Sequence, residues 1–186
     1  MINVELFISR GEFMFDINID LNDVSISSIE RDDIVFIQKW INEQNSSNAG
    51  NEKPLGLKEI YERFLEYYVS EGEFFLKITK NEKLIGVLKG RIEFKIINEV
   101  WFWYFLLDNQ YRELGIGSDI IKNVKDYFMN DLGIYDFYTG VCEKDLRILK
   151  FWNKNKFLIT RISKGYFNIN NEDLDMIVLK NCPKAD

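Results

Sequence analysis

Residues 100–107 read VWFWYFLL, with no charge, glycine or proline among them. Such a run is far short of the ~18–20 residues a membrane span needs. Its length and aromatic, branched content suit a strand buried on both faces. A strand of that kind lies inside a sheet and needs helices over each side. The rest of the chain supplies them. Ile34, Ile37, Trp40 and Ile41 share one helical face behind a cap at Asp32 or Asp33. Leu57, Ile60, Tyr61, Phe64, Leu65 and Tyr68 recur at helical spacing. Ile116, Ile120, Val124, Phe128 and Leu132 line a third helix that Gly133 stops. A short fourth helix over 144–155 is expected to turn Leu146, Leu149 and Trp152 inward. Segments 24–29, 73–79, 83–94, 134–141, 157–167 and 173–180 read as strands, and NEQNSSNAGNEKPLG (42–56) as a long loop. The expected class is α+β: a mixed, mainly antiparallel central sheet with helices on both faces. Residues 4–19, with alternating Phe13, Phe15, Ile17 and Ile19, read as an extra N-terminal hairpin. It would cap a sheet edge or pair with a second copy of the chain, a homodimer.

Composition narrows the chemistry. The chain of 186 residues has no histidine, which removes Ser-His-Asp and Cys-His catalysis and His-based zinc sites. Proton transfer must fall to carboxylates, Tyr, Lys, Cys or water. A formal net charge of −6 argues against nucleic acid and mildly favours a cationic substrate. Cys142 and Cys182 are not expected to form a disulfide. The N-terminus lacks a basic segment followed by an apolar core, so no signal peptide, no membrane association and a cytoplasmic location are expected.

Immediately after the apolar run comes DNQYRELGIGSDI (108–120): a polar bend, an arginine, two glycines and a helix start. Free N–H groups at a helix start attract a di-anion, aided by the helix dipole. Gly115 and Gly117 let the backbone approach a phosphate because no Cβ intervenes. The dinucleotide fingerprint fails because residue 120 is Ile, and the P-loop fails because no Lys follows Gly117.

What remains is Arg112, Glu113, Leu114, Gly115, Ile116, Gly117. This run resembles the pyrophosphate motif of the GNAT superfamily of acetyl-CoA-dependent N-acetyltransferases: Arg or Gln, two residues, Gly, one residue, then Gly or Ala. In that family it lies between the fourth strand and third helix. DLRILKFWNKNKF (145–157) is similar to the family's segment N-x-x-A-x-x-x-Y-x-K-x-G-F. ISSIERDDIVFIQKW (26–40) resembles its first strand and helix. The resemblance implies one N-acetyltransferase-like domain over 1–186, a hairpin extension at 1–20 and a core at 24–182. It implies acetyl-CoA as co-substrate, held by Arg112, Glu113, Leu114, Gly115, Ile116, Gly117 and Ser118, with Asp145 and Trp152 on the pantetheine side. Main-chain N–H near Leu106 and Leu107 would polarise the thioester carbonyl. The acceptor would be a primary amine of a small cationic molecule or peptide. Polyamines, aminoglycoside-like antibiotics and protein N-termini qualify.

Several positions depart from the family. Asn109 stands where Pro is frequent, Glu113 and Lys156 where Gly is usual, and Asp145 where Asn is usual. Trp152 occupies the place of a Tyr that protonates the departing thiolate, and an indole cannot do that at neutral pH. Tyr138, Tyr166 or water would take over, and a thiol of pKa near ~8–9 needs little help. Glu99, on the alternation of the strand, is expected to share a face with Trp101, Trp103, Phe105 and Leu107 and is the candidate base. Glu43, Glu52, Glu59, Glu62 and Glu66, with Trp40, Tyr61, Tyr67 and Tyr68, would attract a cation. Trp152 and Asp145 also leave a second reading, an acyl-CoA-binding sensor without turnover.

Overall fold

The computed structural model describes residues 16–47, 54–169 and 171–183. Its elements in chain order are β1 (Asn18–Leu21), β2 (Val24–Ser28), α1 (Ile34–Ser47), α2 (Leu57–Val69), β3 (Glu73–Lys80), β4 (Lys83–Glu93), β5 (Glu99–Leu107), α3 (Ile116–Leu132), β6 (Asp136–Cys142), α4 (Leu146–Lys154), β7 (Leu158–Ile169) and β8 (Glu172–Asn181). The strands form one sheet in the order β1-β2-β3-β4-β5-β6-β8-β7. Every neighbouring pair is antiparallel except β5 with β6. The apolar run thus takes a central strand. Among the described residues no helix is long and apolar enough to cross a membrane. The hairpin expected over 4–19 falls mostly outside the described residues; β1 begins at Asn18 and pairs with β2.

Alternation along the strands divides the core. Leu76, Ile78, Leu88, Val100 and Phe102 face α3 and α4, where they pack with Ile120, Val124, Phe128 and Trp152. Phe75 and Val87 face the other way, against Ile34, Ile37, Trp40 and Ile41 of α1 and Ile60, Phe64 and Tyr67 of α2. The buried stripe of α2 is narrower than its sequence pattern, since Leu57, Leu65 and Tyr68 are exposed.

The start of α1 is a one-turn 3-10 segment, Arg31–Asp33, closed by the Asp33 carboxylate accepting the Glu30 N–H at 2.8 Å. Its end corrects the expected loop: residues 42–47 continue the helix. The cause is a long-range clasp. Asn42 Oδ1 accepts the Leu55 N–H at 2.8 Å, while Gln38 Nε2 and Asn42 Nδ2 donate to the Leu55 carbonyl at 2.7 and 3.0 Å. Those side chains must be presented from a helix to meet one backbone position seventeen and thirteen residues on.

A bulge in β5 has the largest consequence for the site. Phe102 pairs with Gly90 and Tyr104 with Lys89, so Trp103 has no partner on β4. The extra residue resets the alternation. Phe105 and Leu107 join Phe102 on the α3 side, and Glu99 and Trp101 lie on the opposite face. The expected single face Glu99–Trp101–Trp103–Phe105–Leu107 is therefore broken at its middle. Gly90 makes room: a Cβ there would overlap the Trp101 carbonyl and the Phe74 ring.

Candidate acetyl-CoA site

The parallel pairing of β5 with β6 is short. It runs from Glu99–Asp136 to Phe102–Thr139, and Thr139 Oγ1 closes it by donating to the Phe102 carbonyl at 3.0 Å. Beyond that point β5 continues to Leu107 with only β4 beside it. The two strands splay, and a cleft of about 750 Å³ opens between them, walled by the starts of α3 and α4. The Asp108 N–H donates back to Ile85 of β4 at 2.8 Å. By strand alternation, Leu107 and Phe105 then direct their main-chain groups into the splay. The Leu107 carbonyl is taken by Arg112 Nε at 2.6 Å. Leu106 faces α1 and α2 with its side chain, and both Leu106 and Leu107 line the cleft.

The turn that follows is built from the sequence upward. Asp108, buried, caps the next three residues by accepting the Gln110 N–H at 2.9 Å. The chain reverses through Glu113 at φ 63° and Gly115 at φ 87° and enters α3 at Ile116. Gly115 is required there because left-handed backbone costs other residues about 1–2 kcal/mol. Glu113 bears that cost with its side chain exposed. The Ser118 and Asp119 N–H groups return to the Gly115 carbonyl. The main-chain N–H groups of Glu113, Leu114, Gly115, Ile116 and Gly117 find no acceptor among the described residues. Five consecutive donors without acceptors at a helix start suit a diphosphate. Gly117 is also closely packed, since a Cβ would stand 3.2 Å from Phe151 Cε2 and 3.5 Å from Phe105 Cε1. Arg112 is half-buried beside them. Burial first, then the like charge of Arg147, disfavours its cation, which an anion in the cleft would relieve.

The downstream segment lies across the cleft. Asp145 precedes α4, exposed and lining the opening. Leu149 packs on the core as expected, but Leu146 is 64% exposed, a correction to its expected inward side. The helix is turned by its aromatic pair: Phe151 meets Phe105 at 5.7 Å and Trp152 stacks on Phe102 at 5.8 Å. Trp152 is buried and still contributes to the cleft wall.

The other candidates separate. Tyr138 stacks on Trp101 at 4.8 Å with Lys180 Nζ above its ring, away from the cleft. Tyr166 is exposed against Phe167 and does not line the cleft. Tyr104 does line it, 42% exposed, placed there by the bulge. Simple strand alternation would put Tyr104 on the face opposite Glu99, in the core; Gly90, a glycine inside a strand, is the sequence signal of the irregularity. The structure does not bring Glu99 to the cleft. Its Oε2 accepts from Lys95 Nζ at 2.9 Å and Trp101 Nε1 at 3.3 Å. It stands three residues before the splay, roughly 10 Å at strand rise. Cys142 is free, buried and part of the cleft wall.

On the α1–α2 side, Glu59 pairs with Arg63 and Glu62 with Lys58 along the exposed face of α2. Trp40 and Tyr67 are core residues, and burial pushes the Tyr67 phenol up to about 12. Glu52 lies outside the described residues.

Comparison with known proteins agrees with this geometry. The family model of the acetyltransferase (GNAT) domain matches residues 26–178. Among solved structures, the chain is similar to a ribosomal-protein-S5-alanine acetyltransferase from Vibrio fischeri, with 15% identity over 90% of this chain and 97% of that one, at TM-score 0.71. It is similar to a spermidine N-acetyltransferase from Vibrio cholerae solved with CoA and spermine, with 18% identity, 87% and 96% coverage and TM-score 0.72. It is also similar to a ribosomal L7/L12 alpha-N-protein acetyltransferase, with 13% identity, 90% and 95% coverage and TM-score 0.78. No curated protein matches the sequence significantly. The chain belongs to the GNAT acetyltransferase family. It is an acyltransferase whose acetyl donor is acetyl-CoA.

Proposed function

We propose that this chain transfers an acetyl group directly from acetyl-CoA to a primary amine on a small cationic molecule or peptide. The observation that carries the reading is the run of five unpaired N–H groups at residues 113–117, set at the mouth of the β5–β6 splay. Acetyl-CoA supplies the activated acyl group. The amides of 113–117, with Arg112 and Ser118, hold its diphosphate, and Asp145 and Trp152 border its pantetheine arm. The main-chain N–H groups of Phe105 and Leu107, on the open side of β5 beyond Phe102, orient the thioester, with Leu106 beside them in the cleft wall. Spermidine and ribosomal proteins, the substrates in the names of the similar structures, make polyamines and protein N-termini the first acceptors to try. Thiol release from acetyl-CoA across a panel of amines tests the reading, and a rise with at least one amine is expected. Binding without release across the whole panel would instead support the acyl-CoA sensor, the reading that a buried indole at Trp152 favours.

Proton transfer is assigned to groups the cleft presents. Tyr104 is the phenol that lines it among the described residues, and we assign it the proton given to the departing thiolate. Tyr104→Phe is expected to lower kcat about tenfold, less than the ~10²–10⁴ of an indispensable acid because the thiolate leaves readily. KM for acetyl-CoA should stay within about twofold, since no binding contact is removed. An unchanged kcat would return the step to water.

Glu99 reaches the amine only through intervening water. Glu99→Gln is expected to cost less than about tenfold in kcat/KM at every pH. A direct base is worth ~10²–10⁴, so a loss of that size confined to low pH would make Glu99 the base after all.

A further inference from the structure

In a chain of net charge −6, one wall of the cleft is cationic. Arg112 projects from the turn, and Arg147, Lys150 and Lys154 from α4. The last three are spaced i, i+3 and i+7, so they form one stripe along that helix. The cleft-lining carboxylates are Glu113 and Asp145 alone. Among the described residues, lysines and arginines elsewhere make ten ion pairs, yet none of these four makes one. Phe151 lies within the same stripe, and its ring edge approaches α3, with Cε2 3.2 Å from where a Cβ on Gly117 would stand. The stripe therefore flanks the amide run at 113–117 instead of lying at a distance from it.

Coenzyme A carries two separate anionic groups, a diphosphate and a ribose 3′-phosphomonoester. The five amides and Arg112 match the first, which leaves the α4 stripe facing solvent beside it with no anion of its own. We infer that Arg147, Lys150 and Lys154 form a subsite for a phosphomonoester dianion, the 3′-phosphate of the acyl carrier. The enzyme would thereby select 3′-phosphorylated coenzyme A over the dephospho form. The inference rests on the proposed acetyl-CoA site. Three solvated cations are each worth little, but together they face one dianion. Their contribution should also fade with salt, as screening of exposed charges requires.

The test measures Kd of the full chain for acetyl-CoA and for 3′-dephospho-acetyl-CoA, at low and high salt. It uses the wild type and an Arg147→Ala/Lys150→Ala/Lys154→Ala variant. The wild type is expected to prefer acetyl-CoA about tenfold at low salt and less at high salt. The variant should lose that preference by binding acetyl-CoA more weakly, while its affinity for the dephospho form stays within about twofold. That unchanged affinity also shows the variant is folded. Equal wild-type affinities, or a preference that survives in the variant, overturn the subsite and leave the acetyl-CoA site standing. Failure of the wild type to bind either compound would overturn the site itself.

Discussion

Gly117→Asp is expected to weaken acetyl-CoA binding by about a hundredfold or more, with the protein still folded. The new carboxylate would stand beside the unpaired amides of 113–117 and compete for them. It would also face the diphosphate as a like charge. A hydrogen bond to a charged oxygen is worth about 1.5–3 kcal/mol, so losing two of them is sufficient. Folding should tolerate the change. A Cβ at 3.2 Å from Phe151 Cε2 needs the ring to give by a few tenths of an ångström. In partial compensation, an acid in the first turn of α3 gains about 0.3–1 kcal/mol from the helix dipole. Calorimetric titration with acetyl-CoA, beside a melting curve, reads both effects. Gly117→Ala separates charge from bulk: it keeps the crowding and removes the repulsion, so its loss should be much the smaller. Undiminished affinity in Gly117→Asp would place the donor elsewhere.

Trp152→Ala should be the most destabilising of the substitutions considered. The indole is 4% exposed, stacks on Phe102 and meets Phe151 at 5.2 Å and Phe157 at 4.7 Å. Truncating a buried tryptophan to alanine costs about 3–5 kcal/mol, as the transfer energy and the cavity add. In a chain of this size that is a fall in Tm of roughly 6–20 °C. Trp152→Phe keeps a ring against Phe102 and should cost much less. A loss under about 1 kcal/mol for the alanine variant would mean that α4 is not anchored through this side chain. Trp152 therefore has a structural reason to be an indole, apart from any proton the family's tyrosine would carry.

Local signals in the sequence carried far. The run at 100–107 marked a central strand, but the expected burial on both faces holds only in part, since Trp103 is 46% and Tyr104 42% exposed where the bulge opens the cleft. The period of α3 and the stop at Gly133 gave that helix within a residue of its ends, and Gly133 takes the left-handed C-cap, φ 65°, that the stop requires. The turn at 112–118 was legible for the same reason. Left-handed backbone at Gly115 and close approach at Gly117 are properties of single residues, and they are written in the letters themselves.

Other features depend on what a residue meets across space. Asn42 looks like loop composition until Leu55 is placed against it, and then it extends α1. Tyr104 reads as a core residue until Trp103 bulges, and then its phenol stands in the cleft. Glu99 shares a face with Phe105 and Leu107 by alternation until that same bulge moves the face, and Lys95 and Trp101 hold its carboxylate.

By itself the sequence determined most of the segments that become strand or helix, where the glycine turn at 112–118 sits and which histidine-based chemistries are impossible, since backbone preference and side-chain type act within a few residues. Only the tertiary structure decided where β5 and β6 part, which side chains line the opening and which way α4 turns its cations. Those outcomes follow from register and packing between segments that the chain order separates, 37 residues between Phe102 and Thr139 where β5 and β6 part, and one inserted residue in one strand is enough to exchange the two faces.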